Sequence, residues 1–148
     1  RFQEARQQLA KLDAQLDPRL EGPLAAYAML AGECWERKIG DFDYKVCMFG
    51  EATQDTPSEK HVSLGRWKGW DFSNNRLRGL FDGGLECPGG VKRQMSVSFT
   101  CDGGASIETV TEPKTCVYEM EVRHAAACDL SEQPGSVARP PRMPRDEL

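Results

Sequence analysis

Apolar positions along this chain follow two different rhythms. Near the start, Phe2, Ala5, Leu9, Leu12 and Leu16 step by three, four, three and four. This is the seam of a heptad repeat and predicts an amphipathic helix, stopped by Pro18. The seam serves either to pack the helix on its own domain or to form the end of a coiled coil. From Gly32 the rhythm changes: Gly pairs, Asn-Asn and Pro punctuate short apolar runs, which predicts strands and turns. "DFDYKVCMF" forms one strand. In "VKRQMSVSFTC", Arg93, Met95, Val97, Phe99 and Cys101 share one face, and Lys92, Gln94, Ser96, Ser98 and Thr100 the other. A "DGG" turn follows and "SIETVTE" returns. In "TCVYEMEVR", Cys116, Tyr118, Met120 and Val122 face one way, and Val117, Glu119, Glu121 and Arg123 the other. The expected organisation is a helical segment and linker over 1–31, an all-β domain over 32–130, and a flexible, Pro-rich tail over 131–148. The β domain is expected as a flattened barrel or sandwich of antiparallel sheets.

Composition narrows what this domain does. The 148 residues carry a formal net charge of −4, with 28% charged. That leaves no basic field for a nucleic-acid backbone. No apolar run approaches the ~20 residues of a spanning helix, so no membrane insertion is expected. The chain opens inside a charged, helix-like stretch rather than on a signal peptide, as expected of a fragment of a longer precursor.

Six cysteines are present, at 34, 47, 87, 101, 116 and 128. An even count in a small domain points to disulfides, with 15 connectivities open. No C-x-x-C occurs, and His61 and His124 are far from any tight cysteine pair, so neither zinc nor another cofactor is expected. The last residues, Arg145, Asp146, Glu147 and Leu148, resemble the K-D-E-L and H-D-E-L addresses read by a retrieval receptor. Disulfides also require an oxidising compartment. Both signals point to the lumen of the endoplasmic reticulum.

The stretch "EPKTCVYEMEV" raises the question of chemistry. Strand parity turns Tyr118 to the covered side, where its hydroxyl needs a partner. Arg93, on the inner face of its strand, needs a carboxylate or a ligand. Glu112 is the carboxylate in range of that argument. A glycosidase would need two carboxylates ~5–9.5 Å apart. Asp82, Glu86 and Asp102, all in turns, are the candidates to face Glu112. Arg93 and Gln54, however, suit binding better than acid–base work.

The segments "YKVCMFGEATQ", "LGRWKGW", "GGLECPGGVKRQMSVSFTC" and "TEPKTCVYEMEV…AAC", in that order from about Cys34 to Cys128, resemble a mannose 6-phosphate receptor homology domain. This is a lectin-type β-fold. Within that family the chain looks most like the β subunits of glucosidase II, which carry the domain after a coiled-coil stretch and end in an H-D-E-L-type tail. The resemblance implies a mannose-binding set of Gln54, seven residues after the second cysteine, Arg93, six after the third, Glu112 in its Glu-Pro pair, and Tyr118, two after the fifth. It implies the disulfides Cys34–Cys47, Cys87–Cys116 and Cys101–Cys128. It also implies a non-catalytic regulatory subunit that binds mannose residues of N-glycans. The partners would be a catalytic α subunit, high-mannose N-glycans and a KDEL-type retrieval receptor. The alternative within the family is a lectin that delivers misfolded glycoproteins to degradation. One departure stands out: Pro88 occupies the position where mammalian β subunits carry a tryptophan thought to flank the sugar. Trp67 and Trp70 are the candidates for an aromatic wall in its place, or else core anchors.

Overall fold

The computed structural model describes residues 2–15, 17, 20–73 and 76–131, with the side chains of residues 7, 10–15, 23 and 129–131 outside the description. The tail from 132, including the Arg145–Leu148 signal, and the seam residues Leu12 and Leu16 therefore lie outside the described side chains. Helix α1 (Phe2–Gln15) forms where the heptad predicts it, and its seam residues Phe2 and Leu9 stand exposed. Eight strands follow: β1 (Cys34–Ile39), β2 (Phe42–Cys47), β3 (Glu51–Asp55), β4 (Val62–Ser73), β5 (Arg76–Asp82), β6 (Gln94–Cys101), β7 (Ala105–Lys114) and β8 (Val117–His124). A short helix α2 (Ala126–Ser131) follows. Among the described residues, no helix is long and apolar enough to cross a membrane.

The stretch expected as linker contains a 3-10 helix, Gly22–Leu30. In a three-residue turn, side chains three apart align. Leu24, Tyr27 and Leu30 do so, and all three are buried in the core. Tyr27 meets Trp70 and Phe99 with ring centroids 5.8 and 5.3 Å apart.

All eight strands join one sheet in the order β1-β2-β3-β4-β5-β6-β8-β7. The sheet curls until its two edges meet. There Arg37 on β1 donates through Nη1 to the carbonyls of Ile107 (3.0 Å) and Glu108 (3.2 Å) on β7. His124 pairs with Glu33 at 2.9 Å beside the same seam. A guanidinium thus satisfies edge carbonyls that a fully closed barrel would satisfy by a ladder. The alternation predicts an all-β barrel or sandwich and the six cysteines predict disulfides; the structure is one barrel-like sheet with three disulfides, paired as the family resemblance implies.

One pairing differs from the expectation. "SIETVTE" does not return along β6. Strand β8 lies between them, parallel to β6 and antiparallel to β7. Burial explains the order. On β8, Tyr118, Met120 and Val122 are all buried, whereas β7 buries Ile107 alone. The more apolar strand takes the interior position and the polar one the edge. Two disulfides clamp this parallel pair: Cys87–Cys116 ties the loop ahead of β6 to the start of β8, and Cys101–Cys128 ties the end of β6 to the helix beyond β8. Cys34–Cys47 staples β1 to β2.

Glycines admit the closest approaches. A Cβ on Gly79 would stand 2.7 Å from the Trp67 ring, so that ring packs directly against the β5 backbone. On Gly84 it would stand 2.5 Å from the Ser63 carbonyl oxygen and 2.9 Å from that of Arg93. Both neighbours are backbone and cannot rotate away. Gly84→Ala is therefore expected to destabilise the domain by about 1–3 kcal/mol, read as a lower urea midpoint; an unchanged midpoint would contradict this packing.

Candidate functional site

The parallel register of β6 and β8 places Met95 opposite Tyr118, so Arg93 lies just before β6 at the mouth of β8. Arg93 is held by its backbone: its N–H donates to the Leu85 carbonyl (3.2 Å) and its carbonyl accepts from Gly84 (2.9 Å). Its side chain folds over the same loop. Nη1 donates to the carbonyls of Leu85 (3.1 Å) and Glu86 (3.4 Å), and Nε to the Tyr118 hydroxyl (3.4 Å). The inward hydroxyl of Tyr118 thus finds its partner in Arg93.

Glu112 is placed by a local device. Pro113 has no N–H for the ladder, and the β7–β8 register breaks between Thr111 and Lys114. At this bulge the Glu112 carboxylate accepts the Cys116 N–H at 2.6 Å. Cys116 itself adopts a left-handed φ of 68°. The carboxylate thus fixes the strained turn that leads into β8. Glu112 and Arg93 were candidates for a direct ion pair, but the structure does not form one; the guanidinium meets carbonyls and a phenol instead. Of the other carboxylates considered, Asp82 pairs with Lys68 at 3.5 Å and Asp102 accepts from Gly104 at 2.9 Å, whereas Glu86 stands exposed.

Gln54 sits on β3 and is 5% exposed. The turn beyond it is tied by Thr56, Glu59 and an Asp55 cap on His61. Gln54 lies opposite Tyr44 in the β2–β3 ladder, and its Nε2 donates to the Tyr44 hydroxyl at 3.2 Å. Tyr44 is the residue that the sequence pattern did not single out. Its signal was parity: Phe42, Tyr44 and Val46 share one face, and Tyr44 and Val46 are buried. Burial pushes the Tyr44 phenol above its ordinary value, the Gln54 hydrogen bond pulls it back, and the neighbouring Tyr118 and Glu112 push it up. Tyr44 is hydrogen-bonded to Gln54 and lies within electrostatic range of Tyr118 and Glu112, and Arg93 joins through its bond to Tyr118. The structure brings all four into one polar cluster.

Trp67 and Trp70 are elsewhere. Their rings lie 5.1 Å apart and pack on Phe49 at 4.9 and 5.9 Å, with Trp67 also on Phe81 at 5.4 Å. Trp70 is a member of the buried core and Trp67 packs against it. They are core anchors; the aromatic wall considered from sequence is corrected accordingly, because Gly79 opens space for the Trp67 ring inside the barrel. An aromatic ring beside the cluster is Phe42, 37% exposed and edge-on to Tyr44 with centroids 6.4 Å apart. Among the described residues, no group of three or more His, Cys, Asp or Glu side chains is arranged to hold a metal ion.

The barrel, its disulfide frame and this cluster define a mannose 6-phosphate receptor homology domain. A solved structure of the MRH domain of glucosidase II β bound to mannose matches with a TM-score of 0.58 and 25% identity, covering 69% of this chain and 99% of that one. Residues 2–140 match the family model of glucosidase II beta subunit-like proteins, and the chain belongs to that family. A glucosidase 2 subunit beta from Oryza sativa subsp. indica is 33% identical over 97 residues, 66% of this chain and 15% of the relative. The human N-acetylglucosamine-1-phosphotransferase subunit gamma is 27% identical over 126 residues, 82% of this chain and 41% of the relative. The chain thus spans less than half the length of these curated relatives.

Tyr44→Phe is expected to leave the buried Gln54 amide without its acceptor and to cost about 1–3 kcal/mol. The raised phenol adds a pH signature. The fold holds Tyr44 neutral, so its contribution is complete below the ordinary tyrosine value of 10.0 and is lost as pH rises through the higher folded value. Urea unfolding at neutral and strongly alkaline pH tests both: the gap between wild type and Tyr44→Phe should narrow at alkaline pH, and a constant gap would contradict the burial of this phenol.

Proposed function

We propose that this chain is a non-catalytic lectin that binds mannose residues of N-glycans with Gln54, Arg93, Glu112 and Tyr118. The observation that carries the reading is that Gln54 bonds the Tyr44 hydroxyl and Arg93 bonds the Tyr118 hydroxyl, with Glu112 anchored on Cys116 at the start of the same strand. Their chemistry suits a sugar ring. Gln54 offers donor and acceptor from one amide, Arg93 a planar donor fork, Glu112 acceptors, and Tyr118 either role. A wrong epimer would leave a buried group unpaired, at about 1–3 kcal/mol each. Binding of a single sugar is expected to be weak, and attachment at several points of one glycan strengthens it.

In this reading residues 32–130 are the lectin unit, against which residues 20–31 pack, and residues 1–31 lead to the rest of a longer subunit. The subunit works in the endoplasmic reticulum lumen, where the Arg145–Leu148 tail is read by a KDEL-type retrieval receptor. It holds mannoses of an N-glycan while a catalytic α subunit of glucosidase II trims glucose from another arm. The family membership and the mannose-bound relative support this role.

Calorimetric titration with methyl α-mannoside tests the site. Arg93→Ala removes charge-assisted donation and is expected to weaken binding at least about tenfold, since 1.4 kcal/mol is a factor of ten. Equal affinity in the two proteins would refute the assignment of Arg93. Co-purification tests the larger role: recovery of a glucosidase catalytic chain is expected, and recovery of a ubiquitin-ligase complex instead would favour delivery to degradation.

A further inference from the structure

The outer face of the sheet carries polar groups in an unusual order. Strand β5 contributes Arg76 and Arg78, and the neighbouring β6 contributes Ser96 and Ser98. Beyond them β8 contributes Glu119 and Glu121, and the edge strand β7 contributes Thr109 and Thr111. These residues line one trough of about 540 Å³. A second hollow of about 240 Å³ shares Arg78, Ser96 and Glu119 with it and continues along the face. The ladder aligns the groups in rows: Arg78, Ser98, Glu121 and Thr109 in one, and Leu80, Ser96, Glu119 and Thr111 in the next. Short hydroxyls form the floor between longer guanidinium and carboxylate walls. Strand alternation puts Tyr118 inside the barrel and Glu119 outside, so this trough lies across the sheet from the Tyr44 cluster.

Parts of the lining are fixed in advance. Ser98 is 7% exposed, and its hydroxyl accepts from Arg76 Nη2 at 3.2 Å. The same nitrogen meets Glu121 at 3.2 Å, and Arg78 meets Asp71 at 2.9 Å. Glu119 is different: it forms no ion pair or side-chain hydrogen bond among the described residues. It stands where the two hollows join, as a carboxylate with all its acceptor sites available.

We propose that this trough is a second saccharide site, occupied by a further neutral arm of the glycan held at the first. The inference rests on the lectin reading of the first site. Two arginines face two glutamates, so the lining has no net charge and gives an anionic or a cationic ligand no advantage. Vicinal hydroxyls each donate and accept, and they match a surface that alternates donors, hydroxyls and acceptors across four strands. The trough has no aromatic lining, so its own affinity is low and it acts by adding a contact to a branched ligand.

The test is titration of branched oligomannose and of methyl α-mannoside into the isotope-labelled full chain, followed by backbone amide shifts and calorimetry. Branched oligomannose should shift the amides of Ser96, Ser98, Thr109 and Thr111 as well as those of the first site. Glu119→Gln and, independently, the steric block Thr109→Arg at an exposed position should weaken branched binding about tenfold while leaving methyl α-mannoside binding unchanged. In Arg93→Ala the first-site shifts should vanish while the trough shifts persist at higher ligand concentration. First-site shifts without trough shifts, or full branched affinity in both trough variants, would overturn the second site and leave the first standing. Absence of shifts at both sites would overturn both. A response of the trough to a protein partner alone, with none to oligomannose, would mark it as a protein-docking face and refute the proposal.

Discussion

The parallel register of β6 and β8 is the constraint on which the rest depends. It sets Gln94 against Val117 and Met95 against Tyr118, and so brings Arg93 to the Tyr118 hydroxyl. Parallel strands cannot be joined by a tight turn; here β7 makes the return journey and then becomes the barrel edge. The pair is clamped at both ends by disulfides with sequence separations of 29 and 27. In the chain-entropy model, loops of this length contribute about 3–4 kcal/mol each. Sliding the register by one residue would turn Tyr118 outward and Glu119 inward, which would destroy the site and bury a carboxylate.

The candidate site is assembled from two regions of one curled sheet. Gln54 and Tyr44 come from β3 and β2, whereas Arg93, Glu112 and Tyr118 come from the β6–β7–β8 region. Tyr44 joins the regions, because its phenol accepts from Gln54 and lies within electrostatic reach of Tyr118 and Glu112. The curvature that brings them together also brings β1 to β7, where Arg37 and the His124–Glu33 pair hold the seam. Closure of the barrel and formation of the cluster are therefore the same structural event.

Much of this was legible in the sequence because period-two alternation directly encodes the inner face. Met95, Val97, Tyr118, Met120 and Val122 were assigned to the covered side from alternation alone, and all are buried. Strand order was less legible. A turn after Cys101 suggested that β7 would pair with β6, yet the burial carried by β8 drew that strand between them. The 3-10 helix was missed because its Leu24, Tyr27 and Leu30 repeat every three residues, a period between those of helix and strand. Trp67 and Trp70 were ambiguous because an aromatic side chain serves a core or a sugar equally well, and the space opened by Gly79 is visible only in three dimensions. Tyr44 was legible by parity but carried no motif of its own.

A set of scattered residues thus becomes one polar cluster through register, disulfides and the bulge at Glu112–Pro113. The account's central claim is that Arg93 and Tyr118 act together on the ligand because the β6–β8 register couples them. The most direct measurement is a double-mutant cycle on mannose binding with Arg93→Gln, Tyr118→Phe and the combination. The predicted result is that both single variants weaken binding and that the double variant loses less than their sum, with a coupling of at least about 0.5 kcal/mol. Strictly additive losses, or binding unaffected by either change, would contradict the claim.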